Sequence, residues 1–212
     1  MTPKLVIFDC DGVLVDSEPV TEQLMSESFA RYGLEITPHE CAALFTGGTM
    51  KSAGEEAKKR GASLPESWVS DMNTAVAAIL KQGVPLFDGL WELLDLLDRK
   101  GIHKAIASNG PMSKMQASLT PSGLWDRFQG CIYSGHDFTP KPAPDLLVHA
   151  MTIAGTAPSE TIFIDDSPAG CKAGQAAGVK TFGFNPEGDT RHLAQIGAIP
   201  IRSLREIQAS FE

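Results

Sequence analysis

Near its start the chain runs Leu5-Val6-Ile7-Phe8 straight into Asp9-Cys10-Asp11-Gly12. Four consecutive large apolar residues read as a parallel strand buried on both faces. Carboxylates are costly beside a core unless something pairs with them. Asp9 and Asp11 are therefore expected at the strand's open C-terminal end, where α/β sheets bind ligands. An extended backbone spaces alternate residues by roughly 6–7 Å, which leaves room for a phosphoryl group between a nucleophile and a proton donor. Gly12 permits the sharp exit that this layout needs. Taken alone, the Asp-x-Asp pattern fits two solvated turn aspartates equally well. Alternation points Cys10 away from both aspartates, into packing.

With 212 residues, the chain can bury a proper core, as one domain or as a core with a modest insertion. A formal net charge of −8 argues against nucleic acid as the main partner, but leaves small anionic substrates open. Cys10, Cys41, Cys131 and Cys171 lack metal-ligand spacing; reduced, mostly buried thiols are expected. No apolar run is long enough for a bilayer and no signal peptide precedes the first strand, so a cytoplasmic protein without membrane contact is expected.

Residues 17–83 carry helical patterns and no strand pattern. Ser17 is a candidate N-cap for a helix running towards Gly33. Thr37-Pro38-His39-Glu40 spells a capping box with proline at the first helical position. Gly47-Gly48 interrupts, a helix covers Met50 to Arg60, and Pro65 opens a longer one that places Trp68 and Met72 in a core. Strands and helices then alternate: a helix over Gly89–Arg99, a strand from His103, a helix over Pro111–Leu119, a strand at Cys131-Ile132-Tyr133, and a helix from Pro144 to Ala154. A strand at Thr161–Ile164, a helix carrying Gly170, Gly174 and Gly178, and a strand over Lys180–Phe184 follow. The glycine row predicts close packing on the sheet. The fold class is thus α/β, a Rossmann-like parallel sheet with right-handed crossovers. Residues 1–16 and 84–212 form the core domain, and 17–83 an inserted helical domain.

Three strands end in polar groups: Asp9 with Asp11, Ser108 with Asn109, and Asp165 with Asp166. In a parallel sheet these ends share one edge. Clustered carboxylates repel, and a divalent cation relieves the repulsion; hard oxygen donors with open positions suit Mg²⁺. One of Asp165 and Asp166 should bind directly and the other through water, with Asp166 favoured as the direct ligand. Lys141, in Thr139-Pro140-Lys141-Pro142-Ala143-Pro144, sits on a backbone that prolines stiffen and could pair with Asp9 and a phosphate oxygen.

Asp9-Cys10-Asp11-Gly12-Val13, Ser108-Asn109-Gly110, Lys141-Pro142-Ala143-Pro144-Asp145 and Ile164-Asp165-Asp166-Ser167 resemble, in order, the four motifs of the haloacid dehalogenase-like hydrolase superfamily. The helical insertion resembles the family's C1-type cap, and Ser108 to Pro111 with Lys114-Met115-Gln116 is similar to its sugar-phosphate phosphatase branch. The resemblance implies that Asp9 attacks phosphorus and forms an aspartyl-phosphate. It implies that Asp11 serves as acid and then base, with its carbonyl on Mg²⁺. Ser108, the Asn109 amide, Gly110 and Lys141 would bind the phosphoryl group, and Asp166, backed by Asp165, would anchor the metal. The expected substrate is a small phosphorylated metabolite, a sugar phosphate or phosphosugar acid, with Glu18, Thr49 and Lys51 as candidate contacts from the cap. A phosphomutase like the β-phosphoglucomutases is the alternative; that branch carries a cap-loop arginine where this chain reads Thr46-Gly47-Gly48-Thr49-Met50-Lys51, with methionine near that position and Lys51 as the residue that could substitute. Dehalogenating relatives lack the second aspartate, present here as Asp11. A catalytically idle binding module is a third reading, one that would show no metal-dependent turnover.

Overall fold

The computed structural model describes residues 3–45, 49–186 and 188–211. The chain divides into two compact units: residues 1–16 with 85–212, and residues 17–84.

The larger unit is built on six parallel strands in the order β3-β2-β1-β4-β5-β6. The strands are β1 (Leu5–Phe8), β2 (His103–Ser108), β3 (Ile132–Ser134), β4 (Thr161–Asp165), β5 (Lys180–Phe184) and β6 (Ile199–Ile201). The apolar run at Leu5 is the central strand, buried at every residue and paired on both sides, Phe8 lying level with Ile106 and with Ile164. One layer of core joins Leu5, Ile7, Ala105, Ala107 and Phe163 to Leu146, Leu147, Ala150 and Met151. On the other face Phe8 meets Phe128 edge-on, with centroids 5.9 Å apart. Helix α5 (Leu90–Lys100) buries Leu90, Leu93, Leu94 and Leu97, a stripe at i, i+3, i+4 and i+7. Each fully buried leucine contributes about 1.5–3 kcal/mol relative to exposure.

Helix α9 (Pro168–Ala177) accounts for two of its three glycines. A Cβ on Gly174 would come within 2.1 Å of Thr181 Oγ1 on β5, and one on Gly170 would strike Asp165. Gly178 is different: it lies past the helix and closes it in the left-handed region, at φ +70°. The three-residue edge strand β6 went unforeseen because Pro200 sits in it, a residue tolerated at sheet edges and disruptive elsewhere.

The smaller unit holds α1 (Glu18–Arg31), α2 (Pro38–Phe45), α3 (Met50–Lys59) and α4 (Trp68–Leu80). Phe29 stacks on Trp68 with centroids 5.1 Å apart, within a core that includes Met25, Cys41, Ala53, Ala57 and Met72. The Trp68 indole N–H donates to Ser28 Oγ at 2.9 Å. The capping box at Thr37 and Glu40 forms in both directions, at 2.7 and 3.2 Å. Ser17 takes the N-cap position expected of it, but its backbone is already helical and its side chain gives α1 no cap. One expected boundary shifts: Pro65 opens a turn that closes at Trp68 N, where α4 begins. The expected Gly47-Gly48 interruption lies outside the described residues. Among those residues no helix is long and apolar enough to cross a membrane.

Candidate active site

The strand ends of the larger unit carry the site. Asp9 directly follows Phe8, its N–H donating to Ile164 O at 2.9 Å. The residue after Ile164 is Asp165, so neighbouring strands deliver two carboxylates side by side. Lys141 Nζ joins them, donating to Asp9 Oδ1 at 2.8 Å and to Asp165 Oδ2 at 2.6 Å. All three are buried, with relative exposures of 8 % for Asp9, 6 % for Lys141 and 0 % for Asp165. Burial pushes the Asp9 carboxyl up to about 6, against the pull of Lys141 and with Asp165 adding to the rise. Burial also works against the charge of Lys141, yet Asp165 and Asp9 together hold its pKa above the ordinary lysine value.

One lysine between two buried carboxylates leaves negative charge in excess, and Asp166 increases it. Oxygens of Asp9, Asp165 and Asp166 lie within 4.8 Å of one another. The Asp166 carboxylate fits against the turn at Gly12, where a Cβ would sit 2.2 Å from Asp166 Oδ2 and where φ is +79°. Gly12 is thus required twice, for its backbone conformation and for the space it leaves. Crowded carboxylate oxygens with one compensating cation among them are a donor set suited to a hard divalent ion. Asp165 is already engaged elsewhere: Oδ1 accepts from the N–H and hydroxyl of Ser167 at 2.8 and 2.7 Å. Ser167 in turn caps α9, accepting from Gly170 N at 3.0 Å.

At the end of β2, the Ser108 hydroxyl accepts from Gly110 N at 3.2 Å. The Asn109 side chain makes a two-point clamp on the Lys141 peptide. Its Oδ1 accepts from Lys141 N at 2.8 Å, and its Nδ2 donates to Lys141 O at 3.0 Å. Asn109 thus sets the backbone from which Lys141 reaches Asp9. Beyond this loop, α6 (Met112–Leu119) places Lys114 Nζ 2.8 Å from Asp11 Oδ2. Cys10 points away from this chemistry, its sulfur 4.0 Å from Ser118 Oγ, and burial raises its thiol well above the usual range.

Comparison with known families identifies the chain's relatives. A haloacid dehalogenase-like hydrolase model matches residues 6–184. The chain belongs to that family. It is 30 % identical over 184 residues to the 6-phosphogluconate phosphatase of Escherichia coli K12, covering 85 % of this chain and 82 % of that one. It is also 30 % identical over 210 residues to the hexitol phosphatase A of the same organism, covering 98 % and 94 %. Among solved structures, a HAD family hydrolase from Deinococcus radiodurans R1 with bound phosphate and sodium superposes with a TM-score of 0.84. The two share 29 % identity, over 98 % of this chain and 94 % of the other.

Within this hydrolase, four of the residues singled out in the sequence, Asp9, Lys141, Asp165 and Asp166, come together directly. Asn109 adjoins them through the Lys141 peptide, and next to it in sequence Ser108 and Gly110 lie together with Asp11: a Cβ on Gly110 would lie 3.5 Å from Ser108 Oγ and 3.9 Å from Asp11 Oδ2. Glu18, Thr49 and Lys51 belong to the helical unit. There Glu18 opens α1, and Lys51 is exposed in the first turn of α3. The Thr49 hydroxyl caps α3, accepting from Ser52 N at 3.1 Å. Sequence reasoning assigned no role to Lys114 or to the Asn109 side chain. Lys114 carried only a weak signal: a lysine in the first turn of a helix opposes the macrodipole, but so does Lys51 in α3, which is exposed.

Proposed function

We propose that this chain is a Mg²⁺-dependent phosphatase that hydrolyses a small phosphorylated metabolite, a sugar phosphate or phosphosugar acid, through an aspartyl-phosphate on Asp9. The observation that carries the reading is the buried Asp9–Lys141–Asp165 cluster with Asp166 beside it. The phosphatase relatives support the substrate class. In this reading an Asp9 oxygen attacks phosphorus, the bond to the leaving oxygen breaks, and Asp11 supplies the proton that oxygen takes up. Asp11 then removes a proton from the water that releases phosphate from Asp9. Ser108, the main-chain N–H of Asn109 and Lys141 receive the phosphoryl oxygens, in a loop whose next residue, Gly110, is tied back to Ser108. Lys141 also fixes the direction of Asp9. Asp9, the Asp11 carbonyl and Asp166 would hold the magnesium ion, with Asp165 behind them; when bound, it offsets the charge of carboxylates and phosphoryl group. The helical unit is the proposed cap, with Glu18, Thr49 and Lys51 the residues proposed to meet the substrate from it.

The test is phosphate release from a panel of sugar phosphates, phosphosugar acids and phosphoglycolate, with Mg²⁺ and with chelator. Turnover should require the metal and vanish in Asp9→Asn while circular dichroism stays unchanged. Release that persists in Asp9→Asn, or that ignores the chelator, would overturn the assignment.

A further inference from the structure

The site holds a second lysine–aspartate pair, and the phosphatase reading gives its lysine no task. Lys114 Nζ meets Asp11 Oδ2 at 2.8 Å across 103 residues of sequence. The side chains are 34 % and 23 % exposed, so the pair is neither a loose surface contact nor a sealed core bridge. Lys114 is the third residue of α6, where the positive end of the helix disfavours a cation. A partly exposed ion pair adds little to stability, too little to make folding a convincing reason for that placement.

The start of α6 is set by the phosphate-loop residues themselves. Ser134 Oγ donates to Gly110 O at 2.8 Å, and Gly110 N is held by Ser108 Oγ. Gly110 lies between the groups in question, since its missing Cβ would be 3.5 Å from Ser108 Oγ, 3.9 Å from Asp11 Oδ2 and 4.0 Å from Lys114 Cδ. The loop that receives the phosphoryl group and the lysine that grips Asp11 are one continuous piece of chain.

We propose that Lys114 is a positioning residue: by holding Oδ2 of Asp11 it sets the direction in which that carboxyl group meets the leaving oxygen. Lys141 does the corresponding work for Asp9, so each carboxyl group that acts on substrate has its own lysine. Lys114 touches neither phosphorus nor the leaving group. Its contribution is confined to the step in which Asp11 hands its proton to the departing oxygen as the phosphorus bond to that oxygen breaks and the bond to Asp9 forms. This inference rests on the phosphatase reading.

A proton donor matters in proportion to how poor the leaving group is. The experiment therefore measures kcat/KM, with Mg²⁺, for 4-nitrophenyl phosphate, phenyl phosphate and glucose 6-phosphate, in wild type, Lys114→Met and Lys114→Arg. Lys114→Met should lower the values for phenyl phosphate and glucose 6-phosphate by about 10–100-fold, part of the 10²–10⁴ that a positioned acid supplies. It should leave 4-nitrophenyl phosphate within about 3-fold of wild type by the same reasoning. Lys114→Arg should recover most of the loss. In an Asp11→Asn background, Lys114→Met should add nothing. The ratio between two substrates does not depend on how much of a variant is folded, so a destabilised preparation still gives an answer. Equal losses on all three substrates, an additive effect in Asp11→Asn, or a change in KM alone for glucose 6-phosphate would each overturn the proposal. The last of these would make Lys114 a substrate contact. A wild-type protein with no metal-dependent turnover would instead overturn the phosphatase reading itself.

Discussion

Replacing Asp9 by asparagine should make the metal-free protein more stable while ending its activity. The buried cluster places two carboxylates against one ammonium, and the substitution leaves Lys141 and Asp165 as a balanced pair. Burial raises the Asp9 carboxyl from its ordinary 3.8 to about 6 in the folded chain. Below about pH 3.8 Asp9 is protonated whether the chain is folded or not, and it costs nothing. As pH rises, the unfolded chain releases the proton first, so stability falls through the window from 3.8 to about 6 and stays lowered above it. A difference of two units at 1.36 kcal/mol each gives a penalty of about 3 kcal/mol at pH 8, and roughly half that at pH 5. For a chain of this length, 1 kcal/mol moves Tm by roughly 2–4 °C. In chelator at pH 8, Asp9→Asn should therefore melt roughly 6–12 °C above wild type, with the gap narrowing at pH 5. Added Mg²⁺ should close part of the gap at pH 8 by stabilising wild type more than the variant. A variant that melts at or below wild type at pH 8, or a gain that ignores pH, would refute the reasoning.

Two further substitutions test separate parts of the structure. Gly170→Ala drives a methyl group to within 1.8 Å of the Asp165 carboxylate; displacing Asp165 from Lys141 should cost about 3–5 kcal/mol in urea unfolding, as breaking a buried ion pair does, and remove most phosphate release. Ser28→Ala leaves the Trp68 indole N–H without its acceptor, and should cost about 1–3 kcal/mol in the helical unit, seen as faster hydrogen exchange in α1 and α4 than in β1.

The central strand and its carboxylates were legible because the signal is local: an uninterrupted apolar run ending at charge has few other solutions in a soluble protein. Lys141 was legible because prolines on either side marked its backbone as fixed. The Asn109 clamp was not, because it joins segments 32 residues apart and no pattern in either one names the other. The pairing of Lys114 with Asp11 was hidden for the same reason, although its place in the first turn of α6 was visible. Gly178 was grouped with Gly170 and Gly174 by spacing alone, and only the backbone, left-handed at φ +70°, separates a helix-ending glycine from those that make room. Pro200 concealed β6 because a three-residue edge strand takes its identity from the neighbour it pairs with, here β5.

The two bonds between Asn109 and the Lys141 peptide have a mechanical corollary. They join loops 32 residues apart in sequence, so a displacement of either one is transmitted to the other, and the ammonium group travels with both.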